Sequence, residues 1–188
     1  MSRIEKLDRS ALSSEQAEVY DHIAGGQRAE GPRLFDLVDE HGRLNGPFNA
    51  MLVAPAVGDA LQALGAAVRY ETELSGRVRE MAILAVATRW ECEFETCAHE
   101  AVGRAAGLSE PEIVDLRIPG GLVPTDPLEA AALRVVELLL ADGDLDDVAW
   151  TAAREHLTEA QMVELMVLVG YYATLALMLR VLRVPVPR

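Results

Sequence analysis

Four side chains within one short stretch carry the chemistry this sequence offers: Glu80, Cys92, Glu95 and His99. Cys92, Glu95 and His99 recur at spacings of three and four. On a helical run beginning at Glu93, a thiol, a carboxylate and an imidazole therefore share one face. An imidazole is the side chain whose charge changes most readily around neutrality, and with buried carboxylates beside it the proton can move in either direction, as general acid or general base. A thiolate at Cys92, activated by His99, could instead attack a hydroperoxide. Its sulfenic acid would then need an external thiol, because Glu95 stands where a resolving cysteine at helical spacing would be.

Each residue also has a purely structural reading. His99 could be a core histidine hydrogen-bonded to Glu80 or Glu95, Glu80 a first-turn glutamate favoured by the helix dipole, and Glu95 one half of an i,i+4 pair on the surface. Cys92 could be a small buried apolar residue. Cys97, two residues before His99, points off that face and reads as packing. His41, in Asp39-Glu40-His41-Gly42, reads as solvated, and His156 as a residue near a helix C-terminus. Trp90, Phe94 and the Tyr171-Tyr172 pair are the rings that could wall a pocket beside His99, with Trp90 and Phe94 the candidates for substrate contact. A lone histidine with carboxylates is a weak metal signature, and no His-x-x-x-His or paired-cysteine spacing accompanies it, so neither metal nor cofactor is expected.

The element that must position Glu80 is the helix it opens. Met81 to Ala87 is seven apolar residues in a row, apolar all round if helical, and therefore a buried helix rather than a surface one. Burial at its ends would perturb the ionisable groups Arg79 and Glu80. His99's face continues to Gly103 and Ala106, both small, so a helix or a ligand can approach closely.

Arg79-Glu80 before an apolar helix, then after a dozen residues Cys92 and the run Phe94-Glu95-Thr96-Cys97-Ala98-His99, resembles the core motif of the carboxymuconolactone decarboxylase and alkylhydroperoxidase D-like superfamily. The aromatic-Glu-x-x-x-His pattern is similar to its decarboxylase-like branch. In the peroxidase branch a Cys-x-x-Cys pair occupies this place, and Cys92 matches the first cysteine while Glu95 replaces the nucleophilic second. The resemblance runs on through Gly107-Leu108 and Gly170-Tyr171-Tyr172, from about Leu12 to Val184. It implies an all-α bundle, a small-molecule substrate, a homo-oligomer (trimer or hexamer), His99 as the catalytic acid/base, and Glu80 at the relay position.

Composition agrees with that fold class. Hydrophobic residues make up 51% and aromatics 5%, a core of Ala, Leu and Val that favours closely packed helices. At 188 residues one domain is expected, with residues 1–12 as an N-terminal extension and 25–47 as a long, turn-rich loop carrying Phe35, Leu37 and Val38. A net charge of −13 repels phosphate backbones and anionic lipid, so neither nucleic acid nor membrane is expected as a partner. MSRIEKLDRS has no apolar leader core, which reads as cytoplasmic and reduced. In one helix the five-residue spacing puts Cys92 and Cys97 roughly 8.5 Å apart at Cα, beyond the roughly 7 Å a disulfide spans.

Helix signals recur along the chain. Ser13 with Gln16 forms a capping box for a helix to about Ala24, Pro55 suits the first turn of a helix to Tyr70, and Ser75 caps the central helix. Ser109, then Thr125 or Asp126, start two more, a further helix spans about Asp146 to His156, and Thr158 begins the last. Leu165 to Leu179 lacks charge but is shorter than a bilayer span, so a core or subunit-interface helix is expected. Three functions follow: cofactor-independent decarboxylation or isomerisation of a small lactone or carboxylate, thiol-dependent peroxide reduction through Cys92, or an oligomeric ligand-binding module, which a closed pocket at His99 would favour.

Overall fold

The computed structural model describes residues 2–29 and 36–186. Among these are nine α-helices, two 3-10 turns and no strand, apart from an isolated bridge between Val38 and Leu44. The all-α reading of the composition holds. The chain divides into two compact units, Met1–Glu71 with Leu177–Arg188, and Thr72–Ala176.

The first unit contains α1 (Ser14–Ala24), α2 (Pro47–Val53) and α3 (Pro55–Tyr70). The Ser13 hydroxyl accepts from the Gln16 N–H while the Gln16 side chain accepts from the Ser13 N–H, the reciprocal cap that the sequence spacing predicts. α2 and α3 pack at a corner where a Cβ on Gly58 would lie 2.0 Å from the Met51 carbonyl oxygen, so only glycine fits there. The extension at residues 2–12 is tied down by buried Asn49, which accepts from the Leu7 N–H and donates to the Glu5 carbonyl. In the long loop, Asp39 accepts from Lys6 and Arg43. Burial raises the proton affinity of Asp39, but the Arg43 and His41 N–H groups and both cations outweigh it and hold the carboxyl well below its usual range. Phe35 lies outside the described residues.

The second unit holds the candidate residues. It contains α4 (Gly76–Arg89), α5 (Glu93–Ala105), α6 (Glu110–Asp115), α7 (Pro127–Ala141), α8 (Asp147–Arg154) and the part of α9 (Glu159–Val181) up to Ala176. Ser75, Ser109, Asp126 and Asp146 each accept an N–H of the first turn that follows: the caps expected at Ser75 and Ser109 are used, and of Thr125 and Asp126 it is Asp126 that caps α7. α8 stops at Arg154, two residues short of the expected end, and His156 lies beyond its C-cap, Glu155.

α4 is the buried rod. Met81, Ala82, Ile83, Leu84, Val86 and Ala87 are each 3% exposed or less, and the helix packs against both α5 and α7. Each large aliphatic side chain taken out of water there contributes roughly 1.5–3 kcal/mol before conformational entropy is charged against it. α9 is the one helix among those described with the length and composition to cross a membrane. It nevertheless buries Met162, Leu165, Leu168, Tyr171, Tyr172, Leu175 and Ala176, and leaves Val163 and Thr174 outward.

Candidate active site

α4 and α5 are joined by only Trp90, Glu91 and Cys92, and the geometry of that link decides what faces what. The Cys92 N–H reaches back to the Ala87 carbonyl at 2.9 Å and the Glu91 N–H to Thr88 at 3.1 Å, with Glu91 held at φ 48°. This is the left-handed helix stop usually made with glycine at the Glu91 position. It reverses the chain at once, so that α5 runs back along α4. On that face a Cβ on Gly103 would lie 3.0 Å from Leu108 Cδ1 but at ordinary contact distance, 3.7 and 3.8 Å, from Leu84 Cδ1 and Glu80 Cβ of α4, so the tight approach that glycine admits is that of Leu108. The space kept clear by small residues on the His99 face is thus taken up by the protein itself.

The reversal brings together residues nineteen positions apart. His99 Nδ1 lies 2.7 Å from Glu80 Oε2, and His99 Nε2 lies 3.5 Å from Glu95 Oε2. Glu80 is wholly buried, and Glu95 and His99 are 3% and 6% exposed. An ionised Glu80 takes the Nδ1–H, fixing the tautomer so that Nε2 is where a proton is gained or lost. The imidazole edge meets the Tyr172 ring at 5.1 Å between centroids and 89° between planes, and Tyr172 in turn meets Tyr171 edge-on at 5.2 Å. On the far side of Glu80, Arg79 Nε approaches Oε1 at 3.7 Å.

Cys92 is buried but stands one residue ahead of α5 as its N-cap, with extended backbone (φ −95°, ψ 91°), so helical period does not set its direction. It lies seven residues before His99, about 10 Å of helical rise away. Cys97 is exposed, and neither cysteine is in a disulfide. Trp90 is half-buried as the C-cap of α4, and Phe94 is buried in the first turn of α5. Among the described residues no group of three His, Cys, Asp or Glu side chains is placed to hold a metal ion. Tyr172 is the wall that the sequence reading undervalued. A tyrosine pair in an otherwise apolar helix was the available signal, because a buried phenol has a polar tip to satisfy.

A second cluster braces the same helix one turn earlier. Arg77 donates to both Glu129 oxygens at 2.7 and 3.0 Å, to Glu112 Oε1 at 2.7 Å and to the Gly107 carbonyl. The Arg77 guanidinium, with the N–H and hydroxyl of Ser109, holds the Glu112 carboxyl down at about 2. Beside His99 in sequence, Glu100 accepts from Arg117 Nε at 2.9 Å and lies 3.5 Å from Arg104.

Residues 55–138 match the carboxymuconolactone decarboxylase family. No curated protein matches the sequence. Among solved structures, an alkylhydroperoxidase AhpD core, an uncharacterized peroxidase-related protein from Ralstonia eutropha JMP134, superposes with a TM-score of 0.79 at 17% identity, covering 100% of this chain and 93% of that one. A putative antioxidant defence protein AhpD from Agrobacterium tumefaciens covers 77% of this chain and 99% of its own, with a TM-score of 0.67 and 22% identity. The debrominase Bmp8, in a cysteine-to-alanine variant complexed with 2,3,4-tribromopyrrole, gives 0.72 at 10% identity, covering 99% of this chain and 94% of that one. At these identities the likeness is one of fold.

Proposed function

We propose, for this member of the carboxymuconolactone decarboxylase and AhpD-like superfamily, cofactor-independent acid/base chemistry on a small lactone- or carboxylate-bearing substrate, with His99 as the proton-transferring group. The observation that supports this reading is the buried 2.7 Å contact between His99 Nδ1 and Glu80, with Glu95 on the other ring nitrogen. In a decarboxylation the C–CO₂⁻ bond breaks, its electron pair passes into the adjoining unsaturated carbonyl as a dienolate, and CO₂ leaves. The carbon then takes a proton from His99 Nε2. Glu80 holds the imidazolium in orientation, and Glu95 carries the replacement proton inward. In an isomerisation the same nitrogen removes a proton and returns it one position along.

A panel of small lactones and β-keto acids, followed by CO₂ release or product formation, tests the proposal. On any substrate turned over, His99→Ala loses 10²–10⁴-fold in rate, the usual contribution of a positioned acid/base group, whereas Cys92→Ser stays within about twofold of wild type. Equal turnover by wild type and His99→Ala would sink the assignment.

The position of Cys92 at the N-terminus of α5 favours a second reading, because a helix N-terminus stabilises a thiolate. Hydroperoxide consumption abolished by Cys92→Ser, in the presence of an external thiol, selects that reading. The near-closure of the site around His99 favours a third, a non-catalytic ligand-binding module. Saturable binding with no turnover on either panel selects it.

A further inference from the structure

The guanidinium of Arg79 has no part in the chemistry above, yet it completes a row of ionisable groups. Its Nε is shielded from solvent, lies 3.7 Å from Glu80 Oε1, and meets no acceptor at hydrogen-bond distance among the described residues. The other Glu80 oxygen is the one bonded to His99. The order is therefore guanidinium, carboxylate, imidazole, carboxylate.

Charge counting shows what the first member does. Glu80 and Glu95 ionised around a neutral imidazole would place two negative charges on buried side chains, and around an imidazolium a net one. With the Arg79 cation the same two states carry one negative charge and none. Buried charge that is not balanced is costly, so the cation makes the proton-poor state accessible, and without it the cluster holds its proton more tightly. Two further charged side chains on the flanking helices are engaged elsewhere. On α4, Arg77 is bound to Glu112 of α6 and Glu129 of α7, and on α5, Glu100 is bound to Arg104 and Arg117. From α9, Tyr172 presents a ring to His99.

We propose that Arg79 is a positioning residue that keeps Glu80 ionised and sets the proton affinity of the Glu80–His99–Glu95 cluster, so that His99 can both give up and take back its proton. This deepens the acid/base reading and rests on it for its functional meaning, but its test needs no substrate.

The ring nitrogens of His99 are followed by ¹⁵N NMR against pH in wild type, Arg79→Gln and Arg79→Lys, with the signal assigned by its loss in His99→Gln and folding checked by thermal denaturation. In Arg79→Gln the titration midpoint moves up by about 1 pH unit, as expected for loss of a neighbouring cation. In Arg79→Lys it stays within about 0.3 units of wild type, because the charge is kept while the guanidinium shape is lost. A Gln variant that titrates with wild type overturns the proposal, as do equal shifts in both variants, which would assign Arg79 to packing. A His99 signal that does not titrate in any of the folded proteins overturns it too. If Arg79→Gln does not fold, Arg79→Met, which also removes the charge, takes its place: an upward shift of about 1 unit beside an unshifted Arg79→Lys sustains the proposal, and a wild-type midpoint overturns it. The proposal thus fails on the titration curve, and the acid/base reading fails separately on turnover.

Discussion

Two histidine–carboxylate pairs in this protein have the same length and lie in different surroundings. His22 Nδ1 of α1 lies 2.7 Å from Asp59 Oδ1 of α3, and His99 Nδ1 of α5 lies 2.7 Å from Glu80 Oε2 of α4. The first pair sits in the Met1–Glu71 unit with side chains 56% and 44% exposed, the second in the Thr72–Ala176 unit at 7% and 0%. At the surface, water competes for each partner. Asp59 raises the proton affinity of His22, His22 lowers that of Asp59, and Gln62 shares the carboxylate. In the interior a second carboxylate, Glu95, and a cation, Arg79, lie beside the pair, so moving one proton changes the balance of the cluster. Bond length does not distinguish the two pairs; burial and the third and fourth partners do.

The sharpest way to break this comparison is to remove one carboxylate from each pair. Glu80→Ala leaves His99 and Arg79 in a dry site without their central anion and costs about 3 kcal/mol, the scale for breaking a buried pair. Asp59→Ala costs less than about 1 kcal/mol, the scale for exposed pairs. Urea denaturation of both variants reads the difference, and equal losses would show that burial is not what separates them.

Next in size is the Arg77 clamp, which supports the same helix with all three guanidinium nitrogens engaged. Arg77→Ala costs about 2 kcal/mol, within the range for hydrogen bonds to charged groups. It also changes the acid limb of stability. Glu112 lies at about 2 when folded against an ordinary 4.5, so its contribution is complete above 4.5 and drains as the pH falls toward 2. Thermal midpoints measured from pH 5 to pH 2 should fall less steeply in Arg77→Ala than in wild type.

The buried pair also depends on a strained turn. Glu91→Gly relieves the left-handed backbone at φ 48° and stabilises by about 1 kcal/mol, seen as a raised denaturation midpoint; an unchanged or lowered midpoint would mean that the Glu91 side chain contributes more than its backbone costs. The smallest effect belongs to the exposed pair. Because Asp59 raises the His22 titration above its ordinary 6.5, the pair's contribution is complete below 6.5 and is lost as pH rises through the folded value. Asp59→Asn should remove a slope of only a few tenths of a kcal/mol in stability between pH 6 and 8.

What the sequence could tell was local. Ser13, Ser75, Ser109 and Asp126 cap the helices they were expected to cap, because a cap is made within three or four residues of the chain. Met81 to Ala87, apart from the half-buried Ala85, is buried because seven apolar residues leave no polar face to turn outward. Glu95 and His99 face the same way because four residues make about one turn. Cys92 escaped that rule by one residue, since helix bounds are set by the N–H and C=O groups that find partners, and the turn at Glu91 left Cys92 extended. Only the tertiary structure could decide that Glu80 meets His99 and that Tyr172 from α9 rather than a nearby ring stands against the imidazole. Those contacts join residues 19 to 73 positions apart. They depend on how whole helix faces interlock, a property of the packed core that no short window of sequence contains.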